Sequence, residues 1–333
     1  MGNCSCAMSL SQLEIPTSPA YFIELTAACN NACPGCGNVY ADDRSAPPLT
    51  AREWCTVLDR IAPTAAQLEI TGGEPTLHPQ FEEIIEHVGT LSIPFILFTN
   101  GRWREPERLL DFLAGLSHLD GLLISLHGGR AASHEAFTGV AGSFAETVKN
   151  IRRAVEAGLR VTTSTVLTRH SCPEVTAIIA LGEELGVEGA AFQRYIGAPL
   201  PELEAGWDEL RGAVGTIEEV RSSNGRRVRF GTPIPHCFVP NHSTGCYAGV
   251  AQATIDPWGN LRPCNHVSLV CGNLLNQSLD EVWASAEMQR FRDAIPEPCY
   301  ACAAFDVCHG GCRAAVMEFG LSSDPFMTQP ILL

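Results

Sequence analysis

The sequence has no long apolar run. No stretch approaches the roughly 18 apolar residues that a membrane-spanning helix needs, and a run such as residues 95–98 has the length of a strand. Residues 1–12 also lack a basic segment followed by an apolar core, so we expect no secretory signal peptide. These absences exclude a membrane protein and predict a cytoplasmic one.

Basic residues are scarce. The 333 residues include 22 Lys and Arg against 37 Asp and Glu, which gives a net charge of −15. Nucleic acids and anionic membrane surfaces attract proteins through basic charge, so this balance argues against either as the main partner.

Cysteine, in contrast, is abundant, with 15 residues. A reducing cytosol does not favour structural disulfides, and an odd number fits poorly with a fully paired framework. So many thiols in this compartment indicate metal binding, as zinc sites or as iron–sulfur clusters.

Strand-like and helix-like segments alternate through the first two thirds of the chain, a pattern typical of parallel strands joined by helical crossovers. Six strands are fewer than the eight of a closed barrel, so we predict an α/β fold with a partial (β/α)6 TIM-like barrel. The predicted strands cover residues 21–25, 67–70, 95–99, 122–126, 161–167 and 190–195. Capping boxes that would begin helices occur at residues 50–53, 143–146 and 278–281.

This pattern divides the chain into four regions. A tail (1–19) precedes the barrel (20–200), and a more polar bridge with one helix follows (201–235). The last region (236–333) is rich in cysteine, and a turn sequence at 256–259 separates two short strands there. A segment so poor in regular elements needs metal ligation to hold its shape.

Three cysteines follow the first predicted strand. Cys29, Cys33 and Cys36 form the spacing C-x3-C-x2-C. Three thiolates in one short loop can hold three irons of a 4Fe–4S cluster and leave the fourth iron open. A structural zinc site would need four ligands, and no fourth is obvious nearby.

A glycine-rich segment, Gly72, Gly73, Glu74 and Pro75, follows the second predicted strand. Glycines there let the backbone approach a ligand, and Glu74 can accept a hydrogen bond from an ammonium group. Together with the cysteine triad, this segment resembles the radical SAM superfamily. In that family the open iron binds the amino and carboxylate groups of S-adenosylmethionine (SAM), and an electron from the cluster cleaves SAM to a 5′-deoxyadenosyl radical.

The resemblance implies further cofactor contacts where the later strands end. Asn100 ends the third predicted strand, and Ser125 lies where family members often contact the ribose of SAM. His127 is either functional or a satisfied structural histidine, whereas Gln193 and Arg194 are expected to face the cavity. No catalytic residue is assigned.

One position departs from the family pattern. The family usually has a bulky or aromatic residue before the third cysteine of the triad, near the adenine. Here that residue is Gly35, so we expect the adenine to pack differently.

A second set of cysteines lies in the last region, in two strings with the spacings C-x12-G-x4-C and C-x2-C-x5-C-x3-C. The second string alone would also fit a zinc ribbon or a ferredoxin-like loop. In this order the two strings resemble the SPASM extension, a small domain that holds up to two auxiliary 4Fe–4S clusters in a subset of radical SAM enzymes. The cysteines are Cys246, Cys264, Cys299, Cys302, Cys308 and Cys312.

The ligation of the family implies two auxiliary clusters. Cys246, Cys264 and Cys312 would share one, with Cys237 as the candidate fourth ligand and Cys271 as its rival.

Cys299, Cys302 and Cys308 would hold the other auxiliary cluster. The family's seventh cysteine is missing, and Met327 stands where it is usual. That cluster would therefore have a non-cysteine ligand such as Asp324, an open iron, or be absent.

The resemblance implies an enzyme that abstracts hydrogen from a substrate and oxidises or crosslinks it, most often a ribosomally made peptide. Oxidation or decarboxylation of a small molecule or a tetrapyrrole precursor is the alternative. A non-enzymatic electron carrier is disfavoured, because a carrier does not need a SAM site. Asn265 follows Cys264 where anaerobic sulfatase maturases have an aspartate, which disfavours that activity.

The implied partners are the substrate and an electron donor such as flavodoxin or ferredoxin. Many peptide maturases begin with a peptide-recognition domain of about 80 residues. Only about 20 residues precede the first predicted strand here, so we expect a separate recognition protein or direct binding in the cavity.

Overall fold

A computed structural model describes residues 19–223, 227–239 and 245–328. Its strands form a ten-stranded sheet in the order β10-β9-β8-β1-β2-β3-β4-β5-β6-β7. The strands are β1 (Ala20–Glu24), β2 (Gln67–Thr71), β3 (Phe95–Thr99), β4 (Leu119–Ser125), β5 (Val161–Leu167), β6 (Gly189–Arg194), β7 (Arg227–Phe230), β8 (Gln252–Ile255), β9 (Asn260–Arg262) and β10 (Gly272–Asn273).

Seven of the described helices lie between the parallel strands β1 to β7, and four follow the last strand. They are α1 (Ala51–Ile61), α2 (Phe81–Thr90), α3 (Pro106–Ala114), α4 (Ala131–Thr138), α5 (Ser143–Glu156), α6 (Val175–Glu184), α7 (Trp207–Ser223), α8 (Leu279–Trp283), α9 (Ala286–Arg292), α10 (Phe305–Cys308) and α11 (Arg313–Glu318). Among the described residues, no helix is both long and apolar enough to cross a membrane.

The six strands predicted from the sequence are all present, and the α/β fold with a parallel sheet is confirmed. The structure adds a strand at each side of them. Residues 201–235, predicted as a bridge, form α7 and β7, and β7 pairs in parallel with β6. On the other side β8 pairs in parallel with β1, so the cysteine-rich region extends the same sheet.

Helix α1 shows how the sequence pattern becomes packing. Thr50 and Glu53 form the predicted capping box, and Trp54, Leu58 and Ile61 are fully buried against the sheet.

The capping box predicted at residues 143–146 is wrong. Gly142 is the N-cap of α5, the buried Ser143 hydroxyl pairs with Thr138, and Glu146 binds Arg102 instead. The box at residues 278–281 is confirmed.

The parallel part of the sheet is curved. Glu69 on β2 and Arg229 on β7 have four strands between them in the sheet order. Burial raises the pKa of Glu69 to about 7, and the charge of Arg229 opposes this rise. Arg229 is therefore near Glu69 in spite of the four strands between them. Arg229 also lines a cavity with Ile96 of β3 and Leu123 of β4. These contacts across the sheet require a concave inner face, as expected for a partial barrel.

Candidate active site and iron–sulfur sites

The loop that follows β1 carries Cys29, Cys33 and Cys36, all half-buried. Burial raises the pKa of the Cys33 thiol to about 12, and the neighbouring Cys36 and Cys29 raise it further. The three thiols therefore lie close enough for their charges to interact. Such a set is unfavourable as bare thiolates, and bound iron would remove the conflict, so these residues fit a 4Fe–4S cluster.

The glycine-rich segment after β2 lies against this cysteine loop. The Gly73 N–H donates to the Thr26 carbonyl (2.7 Å), and the Glu74 N–H donates to the Ala28 carbonyl (2.8 Å). A Cβ on Gly73 would lie 2.5 Å from the carbonyl oxygens of Ala27 and Ala28. These glycines are thus required for close approach to the cysteine loop, a cause that the sequence does not reveal.

The Glu74 side chain is fully buried. One of its oxygens accepts from Asn100 N–H (2.7 Å), and the other accepts from the Thr76 hydroxyl (2.7 Å). The Thr99 hydroxyl lies 2.9 and 3.0 Å from the two oxygens. Protein donors thus occupy the carboxylate that the sequence analysis expected to accept from an ammonium. Its position holds the glycine-rich segment on the end of β3.

Asn100 connects the end of β3 to the cysteine loop. Its Nδ2 donates to Asn30 Oδ1 (2.7 Å) and lies 3.8 Å from Cys29 Sγ. Arg102 adds to this connection, because its Nη1 donates to the Asn30 carbonyl (2.6 Å) while its Nε binds Glu146 (2.8 Å). Sequence reasoning missed Arg102 and Glu146, since an Arg and a Glu 44 positions apart carry no local signal.

Ser125 ends β4 and lies beside Ser164 of β5. The Gln193 amide of β6 points toward the Ser164 hydroxyl (3.4 Å). All three side chains are half-buried, and two of them, Ser125 and Gln193, lie at or near the carboxyl ends of their strands. Ligands bind at this end of parallel sheets.

His127 is a satisfied structural histidine. It is buried, its Nδ1 accepts from Val166 N–H (3.3 Å), and its ring lies 4.1 Å from that of Phe137. Burial lowers the pKa of His127 well below its usual value, so the ring is neutral.

Arg194 does not face the cavity, contrary to expectation. Its Nη1 and Nη2 form a two-point ion pair with Asp324 (2.7 and 2.8 Å), and both side chains are buried. Its guanidinium also lies 3.9 Å from the centre of the Phe326 ring. The apolar and ionic contacts of the C-terminal segment take Arg194 away from the inner face.

The departure at Gly35 has a structural cause. A Cβ there would lie 2.6 Å from both Tyr195 and Leu203. These two side chains occupy the space that the family's bulky residue would need.

Buried polar contacts join the barrel to the cysteine-rich region. Arg262 of β9 donates to Glu24 at the end of β1 and lies 4.8 Å from the ring of Tyr40. Burial raises the pKa of Glu24 to about 7, although Arg262 opposes the rise. The Tyr40 hydroxyl donates to Asp256 (2.9 Å). The cysteine loop is therefore fixed between both parts of the chain.

A first auxiliary group of thiols, the three-cysteine group, consists of Cys246, Cys264 and Cys312. Burial raises the pKa of Cys264 far above its usual value, and Cys312 and Cys246 raise it further. The Cys312 N–H donates to Asp324 (2.6 Å), and the charge of Arg194 acts on the Cys312 thiol.

A second auxiliary group, the four-cysteine group, includes Cys237. Its thiols line one cavity of about 320 Å³, part of it open to solvent. Met327 lines the same cavity, and its Sδ lies 3.8 Å from Cys299 Sγ. The members of the group are Cys237, Cys299, Cys302 and Cys308.

Cys237 was expected with the three-cysteine group, but in the structure it lies in the four-cysteine group. The turn at residues 235–239 causes this, since it brings the His236 N–H to the sulfur of Cys308. The rival, Cys271, lies in the barrel core near Ser285 and away from both groups. Asp324, expected as a substitute ligand, is already bound by Arg194.

Among the residues that the structure describes, no group of three or more Cys, His, Asp or Glu side chains has the geometry of a site for a single metal ion.

Comparisons with known proteins agree with this arrangement. The Radical SAM superfamily model matches residues 23–174, and the SPASM model, described as an iron-sulfur cluster-binding domain, matches residues 246–303. The chain is 28% identical to a PqqA peptide cyclase of Gluconobacter oxydans, over 96% of this chain and 92% of that protein. A PqqA peptide cyclase of Xanthomonas campestris is 29% identical, over 95% and 87%.

Solved structures share the fold. Streptococcus suis SuiB bound to S-adenosylmethionine aligns with a TM-score of 0.76 at 19% identity, over 95% of this chain and 79% of that one. Native anSMEcpe with bound AdoMet and Cp18Cys peptide aligns with a TM-score of 0.69 at 18% identity, over 94% of this chain and 92% of that one.

The chain therefore belongs to the radical SAM superfamily. It is a radical SAM enzyme of the SPASM subgroup, and its two domains imply 4Fe–4S clusters and SAM as cofactors.

Proposed function

We propose that this enzyme is a peptide maturase, which binds a ribosomally made peptide against the inner face of its sheet and crosslinks it oxidatively. The observation that carries the proposal is the likeness to peptide cyclases over nearly the whole chain, including both cysteine-bearing regions. Structural relatives bound to peptides, such as SuiB with its precursor peptide SuiA, support a peptide as the substrate class.

The cysteine loop is the proposed centre of the chemistry. Cys29, Cys33 and Cys36 would hold a 4Fe–4S cluster through their thiolates, and the iron that no cysteine binds would be available to SAM. When bound, this pair supplies a 5′-deoxyadenosyl radical that removes a hydrogen atom from the substrate.

The surrounding residues position the cofactor. Gly72 and Gly73 keep the backbone in contact with the cysteine loop, and Glu74 fixes that backbone to β3. Asn100 holds the loop from the other side, and Ser125 offers a hydroxyl at the end of β4 for the ribose of SAM. Rigid placement keeps the reacting atoms at a productive distance and excludes water.

The inner face of the sheet is the proposed peptide site. Ser164 in the middle of β5 and Gln193 near the carboxyl end of β6 offer hydrogen-bonding groups that an extended peptide backbone would need. Glu69 in the middle of β2 and Arg229 of β7 lie farther from these groups, and the charge of Arg229 favours the ionised form of Glu69 across the concave face.

Two partners complete the proposal. A flavodoxin or ferredoxin supplies the reducing electron, and a separate peptide-recognition protein presents the peptide. Both would act in the cytoplasm.

The experiment supplies short peptides encoded beside the gene to the reconstituted enzyme, with SAM and reductant, in the absence of oxygen. We expect one peptide to lose two hydrogens, with 5′-deoxyadenosine formed in step. Cys33→Ala should abolish both products, and Cys55→Ala, outside the three cysteine groups, should not. Abundant 5′-deoxyadenosine with every peptide unchanged would contradict a peptide substrate and leave a small molecule as the alternative.

A further inference from the structure

The family pattern leaves one auxiliary cluster of this chain without its last cysteine. Met327 stands at that position, and it is close to the site, because its Sδ lies 3.8 Å from Cys299 Sγ. A thioether is a much poorer ligand for iron than a thiolate, so the cluster would need another ligand.

Cys237 lines the same cavity as Met327. It reaches this place from the turn between β7 and β8, and Thr328, next to Met327, donates its hydroxyl to the Cys237 carbonyl (2.7 Å). The two segments that could supply the last ligand are thus held side by side. One has lost the cysteine, and the other has one.

We propose that Cys237 is the fourth thiolate ligand of the auxiliary cluster held by Cys299, Cys302 and Cys308, in place of the missing cysteine at position 327. The ligand has moved from one segment to an adjacent one, so the cavity keeps four thiolates. The three-cysteine group then holds its cluster without Cys237.

The surroundings of the cavity fit a complete cluster. Backbone N–H groups of His236, Gly311 and Gly310 point at the sulfur of Cys308. Such donors stabilise negative charge on a ligating sulfur and tune the potential of a cluster. Asp324 was the oxygen ligand expected from the sequence, but its carboxylate already accepts hydrogen bonds from Arg194 and from the backbone N–H groups of Cys312 and Phe326.

This proposal does not depend on the substrate, and its test measures the metal centres directly. The wild-type protein, reconstituted without oxygen, should hold about 12 irons, as expected for three 4Fe–4S clusters. Cys237→Ala should lower iron and acid-labile sulfide to about 8 per chain, or replace one auxiliary signal in the electron paramagnetic resonance spectrum of the reduced protein. Cys55→Ala is the matched control and should change neither.

A rescue variant separates loss of a ligand from damage to the fold. Cys237→Ala with Met327→Cys places a thiol back at the family position, in the segment whose present sulfur lies beside Cys299. We expect iron to return to about 12 and the spectrum to return to that of wild type.

A second background identifies which cluster is affected. Cys264→Ala with Cys312→Ala removes the three-cysteine group and should leave about 8 irons, and adding Cys237→Ala should lower this to about 4. If the addition changes neither iron nor spectrum, Cys237 belongs to the three-cysteine group and the proposal is overturned. Failure of Met327→Cys to rescue a folded Cys237→Ala protein overturns it as well.

Discussion

The buried carboxylate of Glu74 is predicted to act by holding the glycine-rich segment rather than by contacting SAM. In Glu74→Gln the amide oxygen can still accept from Asn100 N–H. The amide NH2 then replaces Glu74 Oε1, which lies 3.3 Å from the Thr76 nitrogen, so two N–H donors face each other. The Thr99 hydroxyl cannot accept from that NH2, because it already accepts from Trp103 Nε1–H (2.9 Å) and Gly101 N–H (3.1 Å).

The size of the effect follows from these contacts. Hydrogen bonds to a charged group contribute about 1.5–3 kcal/mol, so Glu74→Gln should lower the free energy of unfolding by about 2 kcal/mol. Glu74→Ala leaves at least two buried donors without an acceptor, which should cost about 4 kcal/mol. Thr76→Val removes one hydroxyl donor and should cost about 1 kcal/mol. The exposed Glu86→Gln is the control and should have no effect.

The assay pairs urea unfolding with anaerobic calorimetry of SAM binding. If Glu74 acts by positioning, SAM affinity should fall in the same order as stability, and Thr76→Val should weaken binding although the carboxylate is intact. Loss of SAM binding in Glu74→Ala, with unchanged stability and with normal binding in Thr76→Val, would refute the reasoning and indicate a direct contact.

Three further predictions concern the sheet and its interfaces. The stability of Glu69→Gln relative to wild type should rise between about pH 4.5 and about pH 7, because ionisation of Glu69 destabilises the folded state in that range. Urea unfolding of both proteins at about pH 5.5 and about pH 8 measures this difference. Arg194→Met should cost about 3–5 kcal/mol in thermal or urea unfolding by leaving Asp324 buried without its partner. Gly73→Ala should displace the cysteine loop and lower reconstituted iron by about 4 per chain, whereas Gly212→Ala, whose Cβ would meet nothing within 4 Å, should not.

Each of these predictions has a result that contradicts it. A pH-independent difference between wild type and Glu69→Gln would show that this carboxyl has an ordinary pKa. If Arg194→Met with Asp324→Asn is as unstable as Arg194→Met alone, the unpaired charge is not the cause of the loss. Full iron content in Gly73→Ala would show that the loop tolerates the added methyl group.

The strands of the barrel could be predicted because each is a short segment, either apolar or alternating in burial, between helical patterns. Strand β7 could not, since a buried Val228 and Phe230 on either side of an exposed Arg229 are too short a pattern to indicate a strand. Its place in the sheet comes from pairing with β6, which is a tertiary contact.

The candidate site was predictable as far as local spacing determines it. The cysteine triad and the glycine-rich segment are short motifs, and the chain brings them together because both follow neighbouring strands. The group to which Cys237 belongs was not predictable, because spacing along the chain does not say which cavity a turn approaches. The pairing of Arg194 with Asp324, 130 residues away, was not predictable either, because no local pattern links two residues so far apart in the chain.

The most direct test of the central claim follows one hydrogen atom. A peptide that the enzyme modifies is prepared with deuterium at the carbon that forms the new bond, and the 5′-deoxyadenosine is weighed after one turnover. The account predicts one deuterium in the 5′-deoxyadenosine for each peptide that loses two hydrogens. The contradicting result is a modified peptide whose 5′-deoxyadenosine carries no deuterium, whichever carbon of the peptide is labelled. This chain would then not remove hydrogen from a peptide by radical SAM chemistry.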